Sequence, residues 1–333
     1  MTRIIALTGG SGFVGRRLIP RLAETGVTIR LLARDPGRLG EQANGAQVIH
    51  GDLVNPDALD ELVSGTDAVI HMAGAIAAPD RATFDRVNVE GTATIAAIAA
   101  RHGVGRFVHL SSMAARQPDL SDYGASKHAG ETALMEHAAD MSWVILRPPA
   151  VYGPGDKATL PLVTQLIRRH AILPGAVSNR TSLIHVDDLA DALILLAAND
   201  SPHGTTHELD DGKSQGYSWA ELGQIAGRAE GISVNVHHLP KPVMMAVAHC
   251  ASAVAWITGK PAILTPGKVR ELYHPDWVAR HDLLAESCSW RPGIDFTEGV
   301  ASTLEWYRHH QWLPAGTSTA RTQNQTDQSE TTV

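Results

Sequence analysis

Apolar residues in the first half of the chain fall into short runs of strand length, separated by longer stretches with helical spacing. The runs Ile4–Leu7, Thr28–Leu32, Gln47–His50, Ala68–His71, Arg106–Leu110 and Trp143–Leu146 predict strands. Between them Val14–Thr25, Pro56–Val63, Asn88–His102 and Ser126–Ala139 predict helices. Strand-helix alternation of this kind requires right-handed crossovers, and so predicts an α/β protein with a doubly wound parallel sheet. Ligands of such sheets sit at the carboxyl ends of the strands. After about Pro148 the rhythm loosens, with helices expected at Pro161–Arg169, Asp187–Ala198, Ser218–Ala229 and Val243–Ile257. This divides the chain into an α/β domain over 1–150, a smaller lobe over 151–313 interleaved with the last elements of the first, and a tail over 314–333. The tail is polar and nearly free of large apolar residues, and is expected to be disordered.

Composition narrows the class. With 333 residues, 44% hydrophobic and 19% charged, the chain can bury the large core of a compact enzyme. A net charge of −7 argues against nucleic acid as a partner, since phosphate backbones call for a basic face. Cys250 and Cys288 form no disulfide framework, so a reducing cytoplasm is the expected location. The opening segment MTRIIALTGG reads as a strand entering a glycine-rich turn, not as a signal peptide. Val243–Ile257 is fifteen residues of nearly continuous apolar character with His249 inside it. It is shorter than the roughly 20 residues that span a bilayer, and reads as a buried or substrate-covering helix, with peripheral membrane contact as the alternative.

Thr8-Gly9-Gly10-Ser11-Gly12-Phe13-Val14-Gly15 lies between the first predicted strand and the first predicted helix. Glycines there permit a tight turn and a close backbone approach to a pyrophosphate, and the helix N-terminus supplies N–H donors. The expected fold is therefore a Rossmann dinucleotide-binding domain with a smaller C-terminal substrate lobe. At the end of the second strand, NAD sites place an acid against the ribose 2′-hydroxyl, whereas NADP sites place an arginine against the 2′-phosphate. Here Ala33 takes the acid's place and Arg34 follows it, which favours NADP(H). In the competing reading Arg34 is a solvated cation, Asp35 plays the acid's part and the cofactor is NAD(H). Asp52, after the third strand, either meets the adenine amine or caps the following helix.

Tyr123 and Lys127 stand four residues apart, a spacing that stacks them on one helix face. An ammonium beside a phenol stabilises phenolate, and such a phenol can exchange a proton with a carbinol oxygen while hydride moves to or from a nicotinamide. Ser111 and Ser112 close the preceding strand, and one of these hydroxyls is a candidate holder of the substrate oxygen.

Thr8–Gly15, Asp52, His71-Met72-Ala73-Gly74, Asn88 with Gly91-Thr92, Ser111-Ser112, Tyr123/Lys127 and Arg147-Pro148 occur in the order of an extended short-chain dehydrogenase/reductase, which residues 3–313 resemble. The resemblance implies Ser112, Tyr123 and Lys127 as the catalytic triad. It also implies a cofactor lined by Gly9, Gly12, Phe13, Val14, Gly15, Arg34, Asp52, Leu53, Ala73, Gly74, Tyr123, Lys127 and Pro148. A homodimer through Asn88–His102 and Ser126–Ala139 is a further implication.

Two departures bear on the substrate. The linker between Ser112 and Tyr123 is short for a sugar-nucleotide epimerase of this family. Arg180 also lies four residues before Ile184, where epimerases place a diphosphate-clasping arginine three before. Pro240–Lys260, the run Pro261-Ala262-Ile263-Leu264-Thr265-Pro266, Trp290-Arg291-Pro292, Gly299 and Trp306-Tyr307 instead resemble the 3β-hydroxysteroid dehydrogenase-like branch. That branch implies a bulky hydrophobic alcohol or ketone, steroid-like or long-chain, with a nucleotide-sugar epimerase or dehydratase holding bound NAD as the alternative. The histidine pairs His237-His238 and His309-His310 lack zinc-site spacing, and no metal is expected.

Overall fold

A computed structural model describes residues 2–258, 262 and 264–314. The expectation for the tail therefore falls, apart from Pro314, outside the described residues, as do Lys260, Pro261 and Ile263 of the run singled out above. Seven strands, β1 (Ile4–Thr8), β2 (Thr28–Ala33), β3 (Gln47–His50), β4 (Ala68–His71), β5 (Arg106–Leu110), β6 (Ser142–Arg147) and β7 (Thr205–Glu208), form one sheet in the order β7-β6-β5-β4-β1-β2-β3. Every pairing in it is parallel. The order reverses between β1 and β4, the switch point beside which doubly wound sheets open a ligand crevice. β4 is buried at all four positions, as a strand covered on both faces must be, and this explains its unbroken apolar run before His71.

Helices α1 (Phe13–Glu24), α2 (Pro56–Val63), α3 (Gly91–Arg101) and α4 (Asp122–His137) connect these strands. α2, α3 and α4 cover one face, where Leu59, Leu62, Ile95, Ala99 and Leu134 close over Val69 and Phe107. The lobe adds α5 (Leu160–Leu166), α6 (Val186–Ala198), α7 (Trp219–Ala229), α8 (Lys241–Thr258), α9 (Pro266–Leu272) and α10 (Phe296–His309). Of these α6 returns to the sheet. Its Leu189, Leu193 and Leu196 join Leu18 and Leu22 of α1 on the other face, and Arg17 makes a bidentate pair with Asp187 at 2.7 and 2.9 Å. A separate core under the lobe gathers Val163, Leu166, Leu222, Phe296, Leu304 and Tyr307.

β7 was not expected from the sequence. Its residues Thr205-Thr206-His207-Glu208 are polar and form the sheet edge, where one neighbour's ladder suffices without an apolar run. Glu208 at its end is buried and accepts hydrogen bonds from Arg116 (3.2 Å) and from the backbone N–H of Arg280 (3.0 Å). The buried-helix reading of Val243–Ile257 is corrected. The segment is helical, yet Val243, Val247, Val254 and Ile257 are 48–75% exposed, because the helix packs at the rim of the lobe instead of in its core. Among the described residues, no helix is long and apolar enough to cross a membrane.

Candidate active site

The site is built at the carboxyl ends of β1, β4 and β5. β1 ends at Thr8, and Gly9 turns the chain with φ +80°, a conformation that favours glycine. A Cβ on Gly9 would lie 2.7 Å from the Ala73 nitrogen, so the turn after β1 rests directly on the strand end of β4. At Gly15 a Cβ would stand 2.5 Å from the Gly10 Cα, which is why the first turn of α1 can lie flat on the loop. Gly12 is the N-cap of α1 and offers no side chain to its N–H groups. These donors and the positive helix end fit the pyrophosphate of a dinucleotide.

Buried hydrogen bonds hold this cradle from beneath. Thr8 Oγ1 accepts from the Ala73 N–H (3.2 Å) and meets His71 Nδ1 at 2.7 Å, while His71 Nε2 meets Thr92 Oγ1 at 3.1 Å. Since Thr92 donates its own proton to the Asn88 carbonyl (2.8 Å), the fitting arrangement is a neutral ring with the proton on Nε2. Burial, reinforced by the charge of Lys127, pushes the His71 pKa down to about 3. His71 is thus a neutral strut linking β1, β4 and α3.

Asn88 sits in a π-turn, Arg86–Glu90, immediately before α3. Its amide accepts from Ala75 N (2.7 Å) and donates to Ala75 O (3.0 Å) and to Ser126 Oγ (2.9 Å), tying the loop after β4 to α4. Gly130 lets the two segments touch, since a Cβ there would come within 2.3 Å of the Asn88 carbonyl oxygen.

The structure places Arg34 exposed at the end of β2, with no hydrogen bond or ion pair to another residue among the described ones. Asp35 is committed elsewhere, accepting from Gly37 N (3.1 Å) and facing Arg38 at 3.7 Å. Asp52 accepts from Val54 N (3.1 Å), and the cap of α2 is Asn55. Leu53 is buried against Gly91, and Pro148 accepts from Met113 N (3.0 Å), so its carbonyl fixes the turn after β5.

α4 begins earlier than its apolar pattern suggests, at Asp122, because Ser121 caps it by accepting from Gly124 N (2.9 Å). Its inward face is polar and small: Gly124, Ser126, Lys127, Gly130 and Glu131 are buried. Lys127 Nζ donates to the Leu110 carbonyl (2.9 Å) and would stand 3.8 Å from a Cβ on Gly74. Burial lowers its pKa to about 8, against the opposing pull of the Glu131 carboxylate.

The half-buried Tyr123 ring packs against Phe84 at 6.2 Å. Burial raises its phenol pKa, and a hydrogen bond with Ser112 lowers it. The cation that lowers it through space is Lys268 of α9, which sequence spacing could not reveal. The two serines divide. Ser111 donates to Glu131 Oε1 (2.5 Å), and Glu131 in turn pairs with Arg147 (2.5 Å), whereas Ser112 stands beside the phenol. Glu131 escaped the sequence reading, although its position four residues beyond Lys127 carries the same stripe one turn further.

Arg180 is committed within the lobe, donating to the carbonyls of Gln215 (2.6 Å) and Gly216 (3.0 Å) and to Glu221 (3.0 Å). His170 and His237 stack at 5.3 Å on neighbouring strands. Among the described residues no group of three or more His, Cys, Asp or Glu could hold a metal ion.

A glycine cradle at the switch point, with a serine, a tyrosine and a buried lysine beside it, defines a nicotinamide-dependent enzyme of the extended short-chain dehydrogenase/reductase type. The chain belongs to the NAD dependent epimerase/dehydratase family, whose model matches residues 5–208, and it is an NAD(P)-dependent oxidoreductase. It is 40% identical over 313 residues to a ceramide reductase of Caulobacter vibrioides, covering 93% of this chain and 96% of the relative. It is 31% identical over 271 residues (74% and 79%) to the 4-hydroxy-2-methyl-3-oxo-4-farnesyl-3,4-dihydroquinoline-1-oxide ketoreductase of Stigmatella aurantiaca. Among solved structures, MoeE5 in complex with UDP-glucose and NAD shares the fold, with a TM-score of 0.69 and 22% identity over 93% of this chain and 99% of that one.

Proposed function

We propose that the chain uses NADPH to reduce a ketone to a secondary alcohol on a hydrophobic, long-chain or steroid-like lipid. The observation that supports this reading is the Ser112 hydroxyl beside the Tyr123 phenol, with the Lys127 ammonium buried at the Gly74 corner of the cradle one helical turn along. Gly9, Gly12, Phe13, Val14, Gly15, Asp52, Leu53, Ala73, Gly74, Tyr123, Lys127 and Pro148 would line the cofactor, with Arg34 on its adenosine phosphate. When bound, the nicotinamide supplies the hydride. Ser112 holds the substrate oxygen, Tyr123 delivers the proton to it, and Lys127 keeps positive charge next to that exchange.

The lipid assignment draws support from three sides. The two relatives above act, by their names, on a ceramide and on a farnesylated ketone. Arg180 is tied to Glu221 and two carbonyls, leaving it unsuited to a sugar diphosphate. The exposed apolar side chains of α8 suit the lipid surface from which such a substrate comes. A homodimer through α3 and α4 fits the same reading, with Met135 46% exposed on α4. The test is NADPH oxidation with a panel of keto-ceramides, keto-steroids and nucleotide sugars. Turnover of a keto-lipid is expected. Epimerisation of a nucleotide sugar without net cofactor consumption, alongside silence on every ketone, establishes the alternative.

Cofactor choice gives a separate prediction. Arg34→Ala is expected to weaken NADPH binding by about 1.5–3 kcal/mol, roughly 10- to 100-fold, while NADH binding barely changes. Added salt should erode the preference in the wild type, because Arg34 is exposed and screened. Fluorescence titration of both cofactors against both proteins checks it, and equal NADPH affinity in the two proteins rules out this role for Arg34.

A further inference from the structure

α9 comes from the lobe, some 140 residues after Tyr123 in sequence, yet it packs onto the start of Tyr123's own helix. A Cβ on Gly267 would lie 2.9 Å from the Ser121 Cβ, and Arg270 Nε donates to the Leu120 carbonyl at 2.7 Å. Glu271 is 6% exposed and splits its carboxylate between two partners. One oxygen accepts from the hydroxyl of Ser121, and the other accepts from Lys268 Nζ at 2.8 Å. Ser121 is the same residue whose oxygen caps α4 by accepting from Gly124 N. A charge pair of the lobe therefore grips the cap of the helix that carries the proposed proton donor.

We propose that Lys268 and Glu271 are positioning residues for Tyr123, acting through the Ser121 cap, and that they make its acid-base function depend on the seating of the lobe. The inference rests on the reading of Tyr123 as the proton donor. Both charges bear on the phenol, whose pKa is raised chiefly by burial: Lys268 lowers it and Glu271 raises it. The other groups facing the ring are Ser112 from the turn after β5 and Phe84 from the helix Arg81–Asp85, while Lys127, one turn along α4, donates to the Leu110 carbonyl. The pair thus does two things at once. It fixes where the phenol stands, and it sets opposing charges beside it.

The signs separate this role from a purely structural clamp. A ketone reductase needs its phenol protonated, so activity is full below the phenol pKa and falls as pH rises through it. Removing the Lys268 cation raises that pKa, and removing the Glu271 anion lowers it. In Lys268→Met the alkaline limb of the kcat/KM profile should move to higher pH, and in Glu271→Gln to lower pH. The kcat at the plateau should fall about tenfold or more in each as the ring loses its register. Lys268→Arg should restore the limb, and NADPH affinity should stay unchanged throughout.

The assay is NADPH oxidation by the full chain with a keto-ceramide in detergent micelles. Alongside it, phenolate absorbance is titrated in each protein and subtracted from that of its Tyr123→Phe counterpart, which reports the phenol without any substrate. Opposite shifts with arginine rescue support the proposal. Unmoved limbs, or limbs that move the same way in both variants while Tyr123→Phe remains inactive, overturn it. Wild-type turnover in Tyr123→Phe would instead overturn the underlying assignment of Tyr123. If Glu271→Gln does not fold, the Lys268 series decides alone, because the Lys268 side chain is 46% exposed.

Discussion

Tyr123→Phe is expected to lower turnover of the ketone substrate by about 10²–10⁴-fold, the usual contribution of a positioned general acid. Cofactor affinity should be nearly unchanged. The ring keeps its packing against Phe84, and only the oxygen that bonds Ser112 is lost. Lys127→Ala should differ in kind. Lys127 Nζ spans Leu110 O and the Gly74 corner of the cradle, so its loss should weaken cofactor binding as well as rate. Steady-state kinetics paired with cofactor titration separates the two patterns. A Tyr123→Phe enzyme at wild-type rate on the true substrate would falsify the proton-donor assignment.

The largest expected effect on stability is at Glu131. Its carboxylate is 2% exposed, accepts from Ser111 and pairs bidentately with the guanidinium of Arg147, which lies mostly buried at the end of β6. Cutting one partner from a buried pair leaves the other charge uncompensated, so Glu131→Ala should cost about 3 kcal/mol and lower Tm by roughly 4–5 °C. Adding Arg147→Met should recover part of the loss, since the stranded charge is then gone. Thermal unfolding of the single and double variants measures both. The same carboxylate raises the Lys127 pKa against burial, so its removal should let that pKa fall below about 8 and shift any Lys127-dependent activity to lower pH. A single-variant loss under about 1 kcal/mol would show that the pair is not the linchpin its burial implies.

The six strands marked by apolar runs lie where the sequence placed them, within a residue at either end; the inner ones are apolar because parallel strands covered on both faces must be, while the edge strand β3 is mostly exposed and shows only the pair Val48-Ile49. The glycine turn was equally legible, as its spacing answers to backbone sterics that sequence records directly. What escaped had no local signature. β7 is polar and at an edge. The first turn of α4 hangs on a serine cap, with no apolar stripe to announce it. α8 carries a core-like sequence on an exposed surface. Lys268 and Glu271 reach Tyr123 only because the lobe folds back over the sheet, a proximity set by tertiary packing and absent from any spacing along the chain.

The way β7 enters the sheet bears on how such enzymes can be recombined. The chain leaves the sheet after β6, forms α5 and part of the lobe, lays α6 on the sheet, adds β7, and only then completes the lobe. Glu208 ends β7 by receiving both Arg116, from the turn beside Ser112, and the backbone of Arg280. A graft that exchanged everything after residue 150 for the equivalent part of another enzyme would therefore import a foreign sheet edge and a foreign partner for Arg116. Retuning the substrate range by exchange is better served by two shorter cassettes, one between β6 and α6 and one after Arg280, with the host's α6, β7 and Glu208 left in place.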